Sequence, residues 1–85
     1  MGNRSRTEIV SSILDAANGG VTKTKIMYKA YLSYNQLREY LSFLTENNLI
    51  EYLDGTKTYK TTEKGLNFLK MHNEIGELLQ TNTKD

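Results

Sequence analysis

The densest pattern of apolar and polar positions lies between Thr22 and Asn48. Leu37, Tyr40, Leu41 and Leu44 recur at three- and four-residue spacing, which puts them on one face of a helix opening at Ser33. Asn35, Arg38, Glu39 and Ser42 recur at the same spacing on the opposite face. Upstream, Ile26, Met27 and Ala30 mark the buried side of a shorter helix, Lys23 to Ala30, with Leu32 joining them from the turn and the Thr22 hydroxyl as cap. Ile9, Val10, Ile13, Leu14 and Ala17 predict a first helix from about Arg6 to Ala17, closed by Asn18-Gly19-Gly20. Val21 is expected to pair briefly as a small strand. Beyond the Asn47-Asn48 stop the helical period gives way to alternation. Ile50 and Tyr52 alternate with Glu51 and Leu53, and Tyr59 with Thr58 and Lys60, around Asp54-Gly55, a strong hairpin signal.

Thr62 caps a last helix in which Leu66 and Leu69 are expected to close the core. Phe68, Met71, Ile75 and Leu78 form a second apolar stripe at the spacing of a coiled-coil seam, with Leu79 at its margin. One small domain cannot easily bury both stripes, so homodimerisation through Phe68, Met71, Ile75, Leu78 and Leu79 is expected. In the competing reading Phe68 folds back onto the first helix and the remainder frays. The order of elements predicts an α+β, mainly α, winged helix-turn-helix with three helices, a two-stranded wing hairpin and a C-terminal dimerisation helix. Residues 1–5 read as a frayed basic arm, 6–61 as the winged helix-turn-helix, 62–80 as the last helix and 81–85 as a polar tail. A lone two-stranded hairpin is not stable, so the wing must pack on the helices.

Eighty-five residues, 38% of them hydrophobic, suit one small domain with no second one to sense a ligand. The absence of Cys rules out a disulfide framework or thiolate zinc site, and His72 is the only His, so neither metal nor other cofactor is expected. No apolar run approaches the roughly 20 residues a membrane helix needs, and the start has no apolar signal core. A cytoplasmic, nucleoid-associated location is expected. An enzyme is not: His72 has no nucleophile partner, and Gly19-Gly20 and Asp54-Gly55 punctuate structure without forming a phosphate loop. Small-molecule ligands have no evident site.

The net charge of +1 is no nucleic-acid signature, but its distribution is uneven. Between Val21 and Tyr40, Lys23, Lys25, Lys29 and Arg38 stand against Glu39 alone, a local surplus of +3. A core-facing helix often carries Lys and Glu on its outer side for solubility. Here that side carries Asn35, Arg38 and Ser42, with Tyr34 and Gln36 beside them, side chains able to read base edges and phosphates. Arg38 can bond guanine O6 and N7 with both arms of its fork, and Asn35 can do the same for adenine. Candidate contacts to duplex DNA are therefore Lys23, Lys25, Lys29, Ser33, Tyr34, Asn35, Arg38 and Ser42, with Lys57 at the wing tip. Lys25 and Lys29, four residues apart, serve equally well as a solvated face. Glu39 repels phosphate and is expected to pair with a lysine of a neighbouring helix. Among the tyrosines near the turn, Tyr28, Tyr31 and Tyr34 could bond phosphate, although ring burial with a wet hydroxyl is the reading for Tyr31, as for Tyr40. Tyr59 is expected under the wing. A protein-docking winged helix and a purely structural dimer with an idle wing are the competing classes.

The run from Thr22 to Tyr34 and the junction from Tyr59 to Gly65 closely resemble archaeal winged-helix proteins of the small chromatin-protein and transcription-regulator type. Members carry a TKTRIMY-x-A-x-LSY core and a Y-x-x-T-x-K-G junction. The match covers roughly residues 6–80, and Lys25 stands where Arg is commoner, keeping charge without the planar fork. The resemblance implies a winged helix, duplex DNA as ligand, and dimers joined by the terminal helix. The best-known relatives have a much longer terminal helix that forms an antiparallel coiled coil.

Overall fold

The computed structural model describes residues 4–82. Ser5 caps α1 (Arg6–Ala16): its side chain accepts from the Glu8 N–H, and the Glu8 carboxylate accepts from the Ser5 N–H in return. The first turn of the chain is therefore held rather than frayed, and only residues 1–3 of the expected arm lie outside the described residues. Gly19 and Gly20, both near φ 95°, carry the chain away from α1. Thr22 caps α2 (Lys23–Ala30) by accepting from the Lys25 N–H. Ser33 caps α3 (Tyr34–Glu46) in a second reciprocal box with Gln36. Asn48, at φ 61°, ends α3 as the left-handed residue, with Leu49 N–H returning to the Leu44 carbonyl.

Strands β1 (Ile50–Leu53) and β2 (Thr58–Thr61) pair antiparallel, with Ile50 opposite Thr61 and Leu53 opposite Thr58. Four residues, Asp54 to Lys57, therefore make the turn, not Asp54-Gly55 alone. Lys57 takes the left-handed conformation and Gly55 does not. The hairpin signal is right while the turn type differs, because the alternation that fixes register lets the connecting loop lengthen. Val21 pairs with Tyr59 through two backbone hydrogen bonds, the brief pairing expected of it, as a single isolated bridge beside the two strands.

The largest fully buried side chains of the core are Ile13, Leu14, Ile26, Leu37, Leu44 and Ile50, drawn from three helices and β1. It is tied to the hairpin by the buried Thr61 hydroxyl, which donates to the Leu14 carbonyl at 2.6 Å. Thr62 caps α4 (Glu63–Asn82), which runs two residues further than expected. The core-facing side of α4 is Gly65, Phe68, Leu69 and His72, at helical spacing. Leu66 does not close the core; it is 39% exposed. Gly65 occupies the contact position instead, letting the helix backbone approach the Leu49 carbonyl so closely that a Cβ could not fit. Leu66, one residue on, is rotated away from it. Phe68 packs against the core cluster, whereas Met71, Ile75, Leu78 and Leu79 are exposed.

Candidate nucleic-acid interface

The outer face of α3 emerges as its pattern requires: Asn35, Arg38, Glu39 and Ser42 are all exposed while Leu37, Leu41 and Leu44 are buried. Tyr34 opens the helix at its solvent end. The Lys23 Nζ lies 5.5 Å from the Tyr34 ring centre and the Arg38 guanidinium 6.0 Å from it. Two cations from different elements thus lie near one ring, and a cation–π contact is worth about 0.5–1 kcal/mol at an exposed site. The Lys23 contact joins the first residue of α2 to the first residue of α3. Lys23, Arg38, Ser42 and Tyr59 also border one open cleft, so α2, α3 and the hairpin contribute to a single surface.

The other candidates are dispersed. Lys25 and Lys29 lie on the outer side of α2 together with Tyr28, all exposed. Lys57 sits exposed at the hairpin tip beside Thr56, whose hydroxyl bonds that of Thr58 at 2.7 Å. Ser33 is exposed, but its Oγ is engaged as the helix cap, and the Gln36 side chain accepts from the Ser33 N–H at 3.0 Å. Gln36 is therefore committed to the cap and not to base reading. Glu39 finds no lysine of a neighbouring helix among the described residues. It lies on the rim of an apolar groove of about 340 Å³ with Arg6, Val10, Tyr40, Phe43, Leu49 and Phe68.

Tyr40 is half-buried against the core, as is Tyr59, whose ring meets Tyr52 at 4.9 Å. Tyr31 is not buried. It is 84% exposed, because it is the left-handed residue that closes α2 and its side chain leaves the helix pair at that point. Sequence reasoning also missed Arg4, whose guanidinium donates to the Ala30 and Tyr31 carbonyls. No local signal could have found a contact between residues so far apart. For Tyr31 a signal existed: an apolar residue followed by a capping Ser places the residue before them at the helix close.

No group of His, Asp or Glu among the described residues could hold a metal ion, and no described helix is long and apolar enough to cross a membrane.

Three capped helices, an antiparallel hairpin after the third, and a solvent face on that third helix define a winged helix-turn-helix. The chain belongs to that family, whose sequence profile it matches over residues 3–80. Among curated proteins it is similar to the uncharacterized protein MJ0290 of Methanocaldococcus jannaschii, 36% identical over 77 residues. That alignment covers 89% of this chain but 36% of the relative, so the chain spans little more than a third of that protein. Among solved structures it resembles Sso10a-2, a DNA-binding protein from Sulfolobus solfataricus, with a TM-score of 0.77 at 23% identity, over 94% of this chain and 86% of that one.

Proposed function

We propose that this protein binds duplex DNA without catalysing a reaction, with α3 entering the major groove and the hairpin tip lying along the backbone. The observation that carries this is the solvent face of α3. Asn35, Arg38 and Ser42 stand exposed in a row, bordered by Lys23 and Tyr34, and Arg38 has no acidic partner among the described residues. A face meant only for solubility has no need of a guanidinium set over an aromatic ring beside an amide. The description of Sso10a-2 as DNA-binding supports the same reading. Arg38 and Asn35 are assigned to base edges, Tyr34 and Ser42 to the groove wall. Lys23, Lys25, Lys29 and Lys57 are assigned to phosphates, and Ser33 acts through its cap.

The net charge of +1 limits non-specific affinity, which favours a small transcription regulator over a protein that coats DNA. We assign dimerisation to the exposed stripe of Met71, Ile75, Leu78 and Leu79, continued inward by Phe68.

Fluorescence anisotropy of an arbitrary labelled duplex, repeated across salt concentrations, tests the proposal. A log–log slope of several units is expected, one for roughly each phosphate neutralised. No binding, or a flat slope, would transfer the assignment to a protein-docking winged helix, a reading the apolar groove beneath Phe43 favours.

A further inference from the structure

The end of α2 is built in a way that burial does not explain. The Leu32 N–H donates to the Met27 carbonyl at 3.1 Å and the Tyr31 N–H to the Tyr28 carbonyl at 3.4 Å, a closure that requires a left-handed residue between helix and turn. That residue is Tyr31, with φ 55° and ψ 54°. Turns in this motif often carry Gly, since a Cβ in the left-handed region crowds the following carbonyl. The equivalent close of α3 uses Asn48, a type that tolerates the conformation. Tyr31 carries the strain and, being 84% exposed, gains no packing in return. An unrewarded backbone strain of this kind points toward use.

Two further observations converge on the same residue. Arg4 donates from its guanidinium to the Ala30 carbonyl at 2.6 Å and the Tyr31 carbonyl at 3.1 Å, two acceptors that the closure leaves without a helical partner. A cation there also opposes the negative end of the α2 dipole. Tyr28, Tyr31 and Tyr34 are all exposed around the turn. Tyr31 therefore sits between the lysine-bearing side of α2 and the opening of α3.

We propose that the Tyr31 phenol donates a hydrogen bond to a DNA phosphate beside the groove that α3 enters, and that Arg4 is a positioning residue fixing Tyr31 in its left-handed conformation. This rests on the DNA-binding reading above. A neutral phenol orients the protein on the duplex without displacing a counterion, so its contribution is invisible to the salt slope.

The test compares wild type, Tyr31→Gly, Tyr31→Phe, Arg4→Gln and the Arg4→Gln/Tyr31→Gly double variant by thermal melting and by anisotropy on one labelled duplex across salt. Tyr31→Gly is expected to raise the melting midpoint by roughly 2–6 °C, since Gly adopts this conformation freely. It should nevertheless weaken binding by about 3- to 10-fold, the value of one hydrogen bond. Tyr31→Phe should reproduce most of that loss with the melting midpoint unchanged, and neither variant should alter the slope. Arg4→Gln should weaken binding in the wild-type background and cost nothing further in the Tyr31→Gly background, because it acts only through Tyr31. Wild-type affinity in Tyr31→Gly would overturn the proposal. So would a slope lowered by about one unit in Arg4→Gln, which would make Arg4 itself a phosphate contact. Failure of the wild type to bind any duplex would overturn the underlying reading, and it would be seen before any variant is compared.

Discussion

Arg38 and the lysines are all exposed cations, yet they are expected to fail differently. Arg38 stands in the second turn of α3, without an acidic partner among the described residues, 6.0 Å from the Tyr34 ring. Arg38→Ala should lose about 1–3 kcal/mol of discrimination at one base position, read as the ratio of affinities for a preferred and a substituted duplex. Lys25→Ala and Lys57→Ala should instead weaken binding to every sequence alike and lower the salt slope by about one unit each. Identical behaviour of the three variants would refute the docking of α3. Gly65 shows a residue-scale constraint of another kind. A Cβ there would collide with the Leu49 carbonyl and come within 2.6 Å of the Thr61 methyl, both held by the core. Gly65→Ala is therefore expected to destabilise by about 1–3 kcal/mol despite alanine's better helix propensity. A melting midpoint at or above that of the wild type would show that α4 can lift off the hairpin at no cost.

Each helix is bounded by side chains that can be named. Reciprocal boxes at Ser5 with Glu8 and at Ser33 with Gln36 start α1 and α3, and Thr22 and Thr62 start the other two. Ser33→Ala removes a cap at the start of the recognition helix and should cost about 1 kcal/mol, lowering the melting midpoint by roughly 4–8 °C. Because the Ser33 hydroxyl is engaged by the Gln36 N–H, loss of DNA affinity without loss of stability would instead make Ser33 a direct contact. All four helices and both strands were legible at this scale, because caps, periodicity and stop residues are local in the chain. The site was legible in part. The outer face of α3 follows from counting residues, and the S-x-x-Q spacing of Ser33 and Gln36 already carries the capping box that ties Gln36 to the helix start.

The described residues form an elongated body, about 50 by 30 by 19 Å. Much of that length is α4, whose 20 residues span about 30 Å and whose outer end carries the exposed apolar stripe. An apolar stripe left in water on a chain this small favours association of two copies across it. Ile75→Glu should weaken self-association at least about 10-fold in sedimentation, since it buries a charge without a partner. Leu66→Ser, on a different side of the same helix, should leave association unchanged. A wild-type protein that sediments as a monomer at high concentration would remove the dimer from the proposal, leaving α3 and its DNA contacts unaffected.

By itself the sequence determined the elements, their order, the buried side of the first three helices and the exposed face of α3. Those follow from periodicity and capping, which act over a few residues. The tertiary structure decided what depends on which backbones approach closely. It placed Gly65 rather than Leu66 against Leu49, turned Phe68 inward, brought Lys23 beside Tyr34, and joined Arg4 to the close of α2. Such contacts join residues remote in sequence, and the packing geometry that selects them leaves no periodic trace in the chain.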